Sequence, residues 1–300
     1  MCLALDIGGT KLAVGLVDAD AGILARDQVA TPRGLDGEGL FAAVGELVAG
    51  ALGRAGEMGS AVAACGVGTG GPMTARGITI SPLNIAVWRD FPLRSRLEAL
   101  PLFGTLPVFI DNDAKALALG EAWAGAGREV ADFLAMVVST GIGGGIVLDG
   151  RLLDGLSGNA GHIGHLVVEP AGRQCRCGAR GCLEAETSGS AIEEITGRPA
   201  AEAPPEIVER AGRLVGRAVA WTAGLLDLRL ALVGGSVALG FGRAFFEAAQ
   251  RELDERACIA HAKGCKVRTV GLRADGPLLG AAAVGWRGVG RLVTVPERAQ

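Results

Sequence analysis

The chain has 300 residues, 49% of them hydrophobic, and a mean hydropathy of +0.37, which excludes a disordered polymer and allows a large core in two domains. A net charge of −3 without a basic run gives no nucleic-acid surface. No uninterrupted apolar run approaches the roughly 18–20 residues of a membrane span, and no signal peptide precedes the first strand, so no membrane partner is expected. Cys2, Cys65, Cys258 and Cys265 are scattered and suggest no disulfide framework, which fits a reduced cytoplasm.

Two apolar runs, Cys2–Ile7 and Leu12–Val17, flank Asp6-Ile7-Gly8-Gly9-Thr10-Lys11. Strand, glycine turn, strand predicts a hairpin. The turn's N–H groups at Gly8 and Gly9 and the Thr10 hydroxyl suit a phosphate, and Asp6 suits Mg²⁺ held through water. An ordinary tight hairpin accounts for the same residues. A Walker loop or dinucleotide fingerprint needs a helix directly after its glycines, and Val14–Val17 reads as strand.

Gly22–Val29 continues the meander. Glu38–Ala55 has helical spacing, with Phe41, Val44, Leu47, Val48 and Leu52 on one side. Ala61–Gly68 reads as a buried strand running into Gly68-Thr69-Gly70-Gly71-Pro72, a strand end of the kind that holds ligands in α/β sheets. Arg76–Ser81 reads as a short strand. Asn84 follows in a loop, where its amide suits a hydroxylated ligand or a plain turn, and Trp88 suits core or rim.

Pro107–Ile110 is a further buried strand. It ends in Asp111-Asn112-Asp113, ahead of a helix over Ala114–Ala124. Asp113 has two readings: a helix N-cap, or a carboxylate that takes a hydroxyl proton while Asn112 orients the same molecule. Asp132–Ser139 opens a second series. A turn with Thr140, Gly141 and Gly143 follows, then the apolar Ile146–Leu148 and an edge strand at Arg151–Leu153. This repeats the first hairpin about 130 residues on, which suggests two similar domains serving one nucleotide.

His165-x9-Cys175-x-Cys177-x4-Cys182 offers one imidazole and three thiolates, the ligand set of a closed structural zinc site. Gly178 and Gly181 give the knuckle permissive backbone. A metal there would fix His162 and Glu184, which flank the ligands. Three buried, unpaired cysteines are the alternative, although sulfur is clustered more tightly than packing requires.

Ala185–Thr196 reads as helix broken at Ser188–Ser190, and Pro205–Leu226 as a long amphipathic helix. Arg229–Val233 is a buried strand ending at Gly234-Gly235-Ser236, where a flat purine can approach the backbone, ahead of a helix over Phe241–Ala257. Lys266–Leu272 is a last strand. Gly276–Gly288 is a small-residue helix expected to pack against the first domain, and Arg291–Gln300 a tail.

The motifs LALDIGGTKLAVGLVD, IDNDAKALALGEA, STGIGGGIV, GNAGHIGHLVV with CRCGARGCLEA, and LVGGSVALG stand in the order found in ROK sugar kinases, within the actin and hexokinase superfamily. The resemblance spans nearly the whole chain. It implies a two-domain α/β fold with RNase H-like cores and a central inter-domain cleft. The expected division is residues 1–112, joined by a C-terminal helix at 280–300, and residues 113–279. It further implies ATP-dependent phosphorylation of a sugar at its 6-hydroxyl, with ATP, catalytic Mg²⁺ and structural Zn²⁺, and a homodimer.

By the same resemblance Asp113 is the base and Asn112 its sugar-binding neighbour. Gly71, His165 and Glu184 touch the sugar, His165 while also holding zinc with Cys175, Cys177 and Cys182. Gly8–Lys11 and Thr140–Gly143 are phosphate turns, and Gly234–Ser236 the adenosine loop. One departure bears on substrate. Most members resembling glucokinase read GEIGH where this chain reads GHIGH, with His162. A glutamate accepts two strong bonds from adjacent hydroxyls, whereas a neutral imidazole offers one donor and one acceptor. The exchange suits an acetamido sugar, and the chain most resembles bacterial N-acetylmannosamine kinases of sialic acid breakdown. A glucokinase or broad hexose kinase would share every catalytic residue. A sugar-responsive repressor of the family would carry a helix-turn-helix ahead of the first hairpin, which here starts at residue 2.

Overall fold

A computed structural model describes residues 1–74 and 77–291. The chain divides into two compact units. One holds Met1–Arg128, Asp154–Ala160 and the segment from Ala274; the other holds Glu129–Leu153 and Gly161–Arg273.

In the first unit β1 (Cys2–Ile7), β2 (Lys11–Val17) and β3 (Ile23–Ala30) form an antiparallel meander. After α1 (Gly37–Glu57), β4 (Ala64–Thr69) joins β1 in parallel. After α2 (Leu93–Glu98), β5 (Val108–Asn112) joins β4, giving the order β3-β2-β1-β4-β5. Strands β1 and β4 lie inside the sheet with both faces covered, which is why they read as unbroken apolar runs. The helix α3 (Asp113–Ala124) follows β5 directly. Asp36 caps α1 by accepting the Gly39 N–H at 2.8 Å. Among the described residues α1 alone is long and apolar enough to match a membrane span, and its Leu40, Phe41, Val44, Val48, Ala51 and Ala55 are buried in this unit's core.

The second unit repeats this order strand for strand. β6 (Phe133–Val138), β7 (Ile142–Leu148) and β8 (Arg151–Leu152) form the meander. Then come α4 (Leu183–Thr187), α5 (Gly189–Thr196) and α6 (Pro205–Leu226), β9 (Leu230–Gly234), α7 (Ser236–Arg256) and β10 (Lys266–Thr269). β9 pairs in parallel with β6 and with β10, so the sheet runs β8-β7-β6-β9-β10. Ala211, Leu214, Val215, Ala218 and Val219 of α6 form its buried stripe, as the spacing predicts.

The final helix α8 (Gly276–Gly288) belongs to the first unit, and its small residues have a reason. A Cβ at Gly66 would lie 1.9 Å from the Ala281 carbonyl, and one at Gly280 would lie 2.7 Å from the Ala116 backbone. Strand β4, α8 and α3 therefore meet backbone to backbone.

Five readings need revision. The helix α3 groups with the first unit through α8, whereas the sequence suggests a division before Asp113. Gly143–Gly145 lie inside β7 and not in the preceding turn. A Cβ at Gly144 would meet Ile163 Cγ2 at 2.9 Å, and Cβ atoms at Gly161 and Gly164 would lie 2.2 and 2.3 Å from the carbonyls of Gly144 and Ile142. These glycines let the GHIGH segment lie directly on the strand. The helix α7 begins at Ser236, with non-helical backbone at Gly242, one residue past the start at Phe241 that the sequence suggests. Asn112, not Asp113, is the N-cap of α3. Residues 292–300 of the expected tail and terminal helix, and Arg76 of the expected strand Arg76–Ser81, lie outside the described residues; the rest of that expected strand is loop, with only isolated bridges from Ile80 to Met73 and Phe91.

Candidate active site

In the first unit the β1–β2 turn is closed by Gly8 N–H donating to the Lys11 carbonyl at 3.0 Å. Thr31 fixes it from β3's far end: its hydroxyl donates to Gly8 O at 2.7 Å and its N–H to Thr10 O at 3.0 Å. The Asn84 loop lies against this turn. A Cβ at Gly9 would sit 2.6 Å from the Asn84 carbonyl, and one at Gly70 would sit 3.0 Å from Asn84 Oδ1. One guanidinium nitrogen of Arg89 holds the loop, donating to Pro82 O at 2.8 Å, Ile85 O at 3.1 Å and Trp88 O at 2.8 Å. Asn84 is thus brought between the Gly8–Lys11 turn and the Gly70–Gly71 loop. Trp88 is core, stacked on Phe91 with ring centroids 4.6 Å apart.

Asn112 Oδ1 accepts the Ala114 N–H at 3.0 Å, leaving its Nδ2 as a donor beside Asp113. Asp113 Oδ1 accepts the same N–H at 2.8 Å, so its second oxygen carries no part of the cap. Burial raises the Asp113 carboxyl above the ordinary aspartate range, against the opposing pull of that N–H. Asp6, at the end of β1, is pushed up to about 7 by burial and then by the negative charge of Asp113, with Lys11 acting the other way. A basic carboxylate such as Asp113, just past the end of β5, suits proton abstraction from a weakly acidic hydroxyl.

In the second unit the turn between β6 and β7 is Ser139–Gly141, closed by Ser139 N–H to Gly141 O at 2.9 Å. The start of α5 grips it: Gly189 N–H donates to Ser139 O at 2.7 Å and Ser190 N–H to Thr140 O at 3.3 Å. Glu184 Oε2 accepts the Ile142 N–H at 2.8 Å, leaving Oε1 for another partner. Ser236, first residue of α7, has its hydroxyl 2.9 Å from that of Ser139. Gly235 has φ +93°, and a Cβ there would lie 2.3 Å from Val138 O. Only glycine fits so close an approach at positive φ. The β6–β7 turn is therefore joined to Gly234–Ser236 through Val138 and Ser139, whereas Gly143 pairs with Val137 inside the sheet.

His165, Cys175, Cys177 and Cys182 bring their ligand atoms within 4.8 Å of one another. Cys177 Sγ lies 3.7 Å from Cys182 Sγ, and Cys175 Sγ lies 3.7 Å from His165 Nδ1. Tetrahedral zinc with bonds of about 2.3 Å to sulfur and 2.0–2.1 Å to nitrogen would space such atoms about 3.5–3.8 Å apart. Gly178 and Gly181 both have positive φ, +97° and +76°. Burial, then the neighbouring sulfurs, push the Cys182 thiol up to about 12, so three thiolates together call for a cation. The residues fit zinc. Cys182 is also the N-cap of α4, which puts Glu184 in that helix's first turn. His162 sits one short turn before His165, their rings 6.1 Å apart. Buried Glu186 supports the knuckle by accepting the Arg173 N–H and pairing with Arg210.

Sequence reasoning did not single out Ser139, Lys115, Arg89 or Asn159. For Lys115 a signal existed, since it is one of four lysines and interrupts an Ala/Leu helix.

The ROK family model matches residues 2–286. An N-acetylmannosamine kinase of Haemophilus influenzae is 34% identical over 296 residues, covering 94% of each chain. The crystal structure of a ROK hexokinase from Thermus thermophilus is 36% identical with a TM-score of 0.79, over 96% of this chain and 99% of that one. A ROK family glucokinase from Streptomyces griseus, solved with glucose and AMPPNP, is 30% identical with a TM-score of 0.80 over the same shares. The chain belongs to the ROK family.

Proposed function

We propose that the protein transfers the γ-phosphoryl group of ATP to the 6-hydroxyl of N-acetylmannosamine, with Asp113 as general base. The observation that carries this reading is the cap of α3. Asn112 takes that duty, so Asp113 keeps one oxygen for the acceptor hydroxyl. Asp113 accepts the hydroxyl proton as attack proceeds, and Asn112 Nδ2 orients the sugar beside it. Gly71, Asn84, His162, His165 Nε2 and Glu184 Oε1 supply the remaining sugar contacts. Phosphoryl transfer mostly demands alignment and charge neutralisation. Gly8–Lys11 and Thr140–Gly141 serve the phosphates, and Gly234–Ser236 the adenosine. Asp6, at the end of β1, would hold Mg²⁺ through water, and the ion would supply charge neutralisation at the phosphates. His165, Cys175, Cys177 and Cys182 would hold zinc in a structural role, since four protein ligands would leave no position for water. The same reading includes a homodimer, which sedimentation tests, and a cytoplasmic place in sialic acid breakdown.

The substrate assignment draws on the curated Haemophilus relative and on His162 in place of glutamate. A second reading, a hexose kinase, draws on the comparable 36% identity to the Thermus hexokinase. A coupled ADP-release screen over hexoses and N-acetylhexosamines separates them. N-acetylmannosamine should give the highest kcat/KM; a large preference for glucose would overturn the assignment.

A further inference from the structure

The segment Asp154–Ala160 belongs to the first unit, although β8 before it and Gly161 after it belong to the second. It is fastened at both ends by side chains. At its start, Lys115 Nζ on α3 donates to Asp154 Oδ1 at 2.9 Å and to the Gly158 carbonyl at 3.0 Å, and pairs with Asp111 at 3.0 Å. Arg287 on α8 holds the other oxygen of Asp154 at 2.6 Å. Ala160 N–H closes the segment on the Asp154 carbonyl at 3.0 Å. At its far end, Asn159 reads one peptide backbone twice. Its Oδ1 accepts the Met73 N–H at 3.3 Å and its Nδ2 donates to the Met73 carbonyl at 2.9 Å. The same Nδ2 reaches Ser157 Oγ at 3.2 Å.

Met73 is two residues beyond Gly71, a proposed sugar contact. Lys115 is two residues beyond Asp113, the proposed base. The segment therefore spans from the sugar loop to the helix that carries the base, and polar side chains fix it at both ends. We propose that Asn159 is a positioning residue: it sets the Gly70–Met73 loop relative to the head of α3 and so governs sugar affinity without touching the sugar. The proposal rests on the sugar kinase reading. An amide is required because it matches a donor and an acceptor at once. A carboxylate would keep the bond from Met73 N–H and oppose the Met73 carbonyl.

The test is steady-state ADP release by Asn159→Ala and Asn159→Asp, varying N-acetylmannosamine at saturating ATP and then ATP at saturating sugar. Thermal unfolding is followed in parallel. Asn159 is half-buried on a loop, so both variants should fold. The alanine variant is expected to raise sugar KM about tenfold, the effect of losing two ordinary hydrogen bonds, and the aspartate variant to raise it further. ATP KM and kcat should stay within about twofold of the parent. An unchanged sugar KM in both variants, even with a lower melting temperature, would overturn the inference. So would parallel changes in all three constants. Failure of the sugar kinase reading is read separately, on the unmutated chain, as absence of turnover with every hexose and N-acetylhexosamine.

Discussion

Replacing Lys115 with methionine keeps the aliphatic stem and removes the charge. The Lys115 side chain is 3% exposed and that of Asp111 12%, so this pair is effectively dry. Breaking a buried pair costs about 3–5 kcal/mol, because the surviving charge is left without its partner. Arg287 stays 3.7 Å from Asp111 and keeps its own bonds to Asp154, which places the expected loss at the low end, about 3 kcal/mol. At roughly 2–4 °C per kcal/mol, the melting temperature should fall by roughly 6–12 °C. The loss should depend on pH with a definite sign. Burial already raises the Asp111 carboxyl, and Lys115 opposes that rise. Without Lys115 the folded-state pKa climbs further above the unfolded value, so stability falls as pH rises through that interval. Differential scanning calorimetry should therefore find a larger deficit at pH 8 than at pH 5. A deficit below about 1 kcal/mol, or one that grows toward acid, would refute the view that this lysine is held by charge.

Three further outcomes are expected. Elemental analysis should find zinc bound to the purified chain, and Cys182→Ser should lose the metal and lower the melting temperature; a metal-free parent of equal stability would count against the knuckle. His162→Glu should move the ratio of kcat/KM for glucose over N-acetylmannosamine toward glucose by about tenfold, the scale of one rearranged polar contact; an unchanged ratio would remove His162 from the specificity argument. Gly235→Ala forces a Cβ toward Val138 O at φ +93°, so it should raise ATP KM and cost more than ~1 kcal/mol of stability; a neutral result in both would detach this loop from nucleotide binding.

The elements that sequence pattern predicts well are those whose burial is uniform or periodic. Strand β1 and helices α6 and α8 fall where their apolar patterns place them. Glycine is where pattern reading fails, because one residue type answers two needs. In Gly8–Gly9 it makes a turn; in Gly144, Gly161 and Gly164 it lets one segment lie directly on a strand. Both needs produce the same letters. The cap of α3 shows a finer limit, since asparagine and aspartate cap equally well and composition does not resolve a shift of one residue. The metal cluster was legible because its ligands are close in sequence and chemically rare. The contacts of Lys115 with Gly158 and of Asn159 with Met73 join residues 43 and 86 positions apart, and no local pattern records them.

The most direct measurement is the turnover of Asp113→Asn with N-acetylmannosamine as a function of pH. The parent should show kcat/KM rising with pH along an acid limb displaced above the ordinary carboxylate range, because burial raises Asp113. The variant should lose that limb and about 10²–10⁴ in kcat while sugar KM stays near the parent value. Near-normal turnover with the limb intact would show that another group takes the proton.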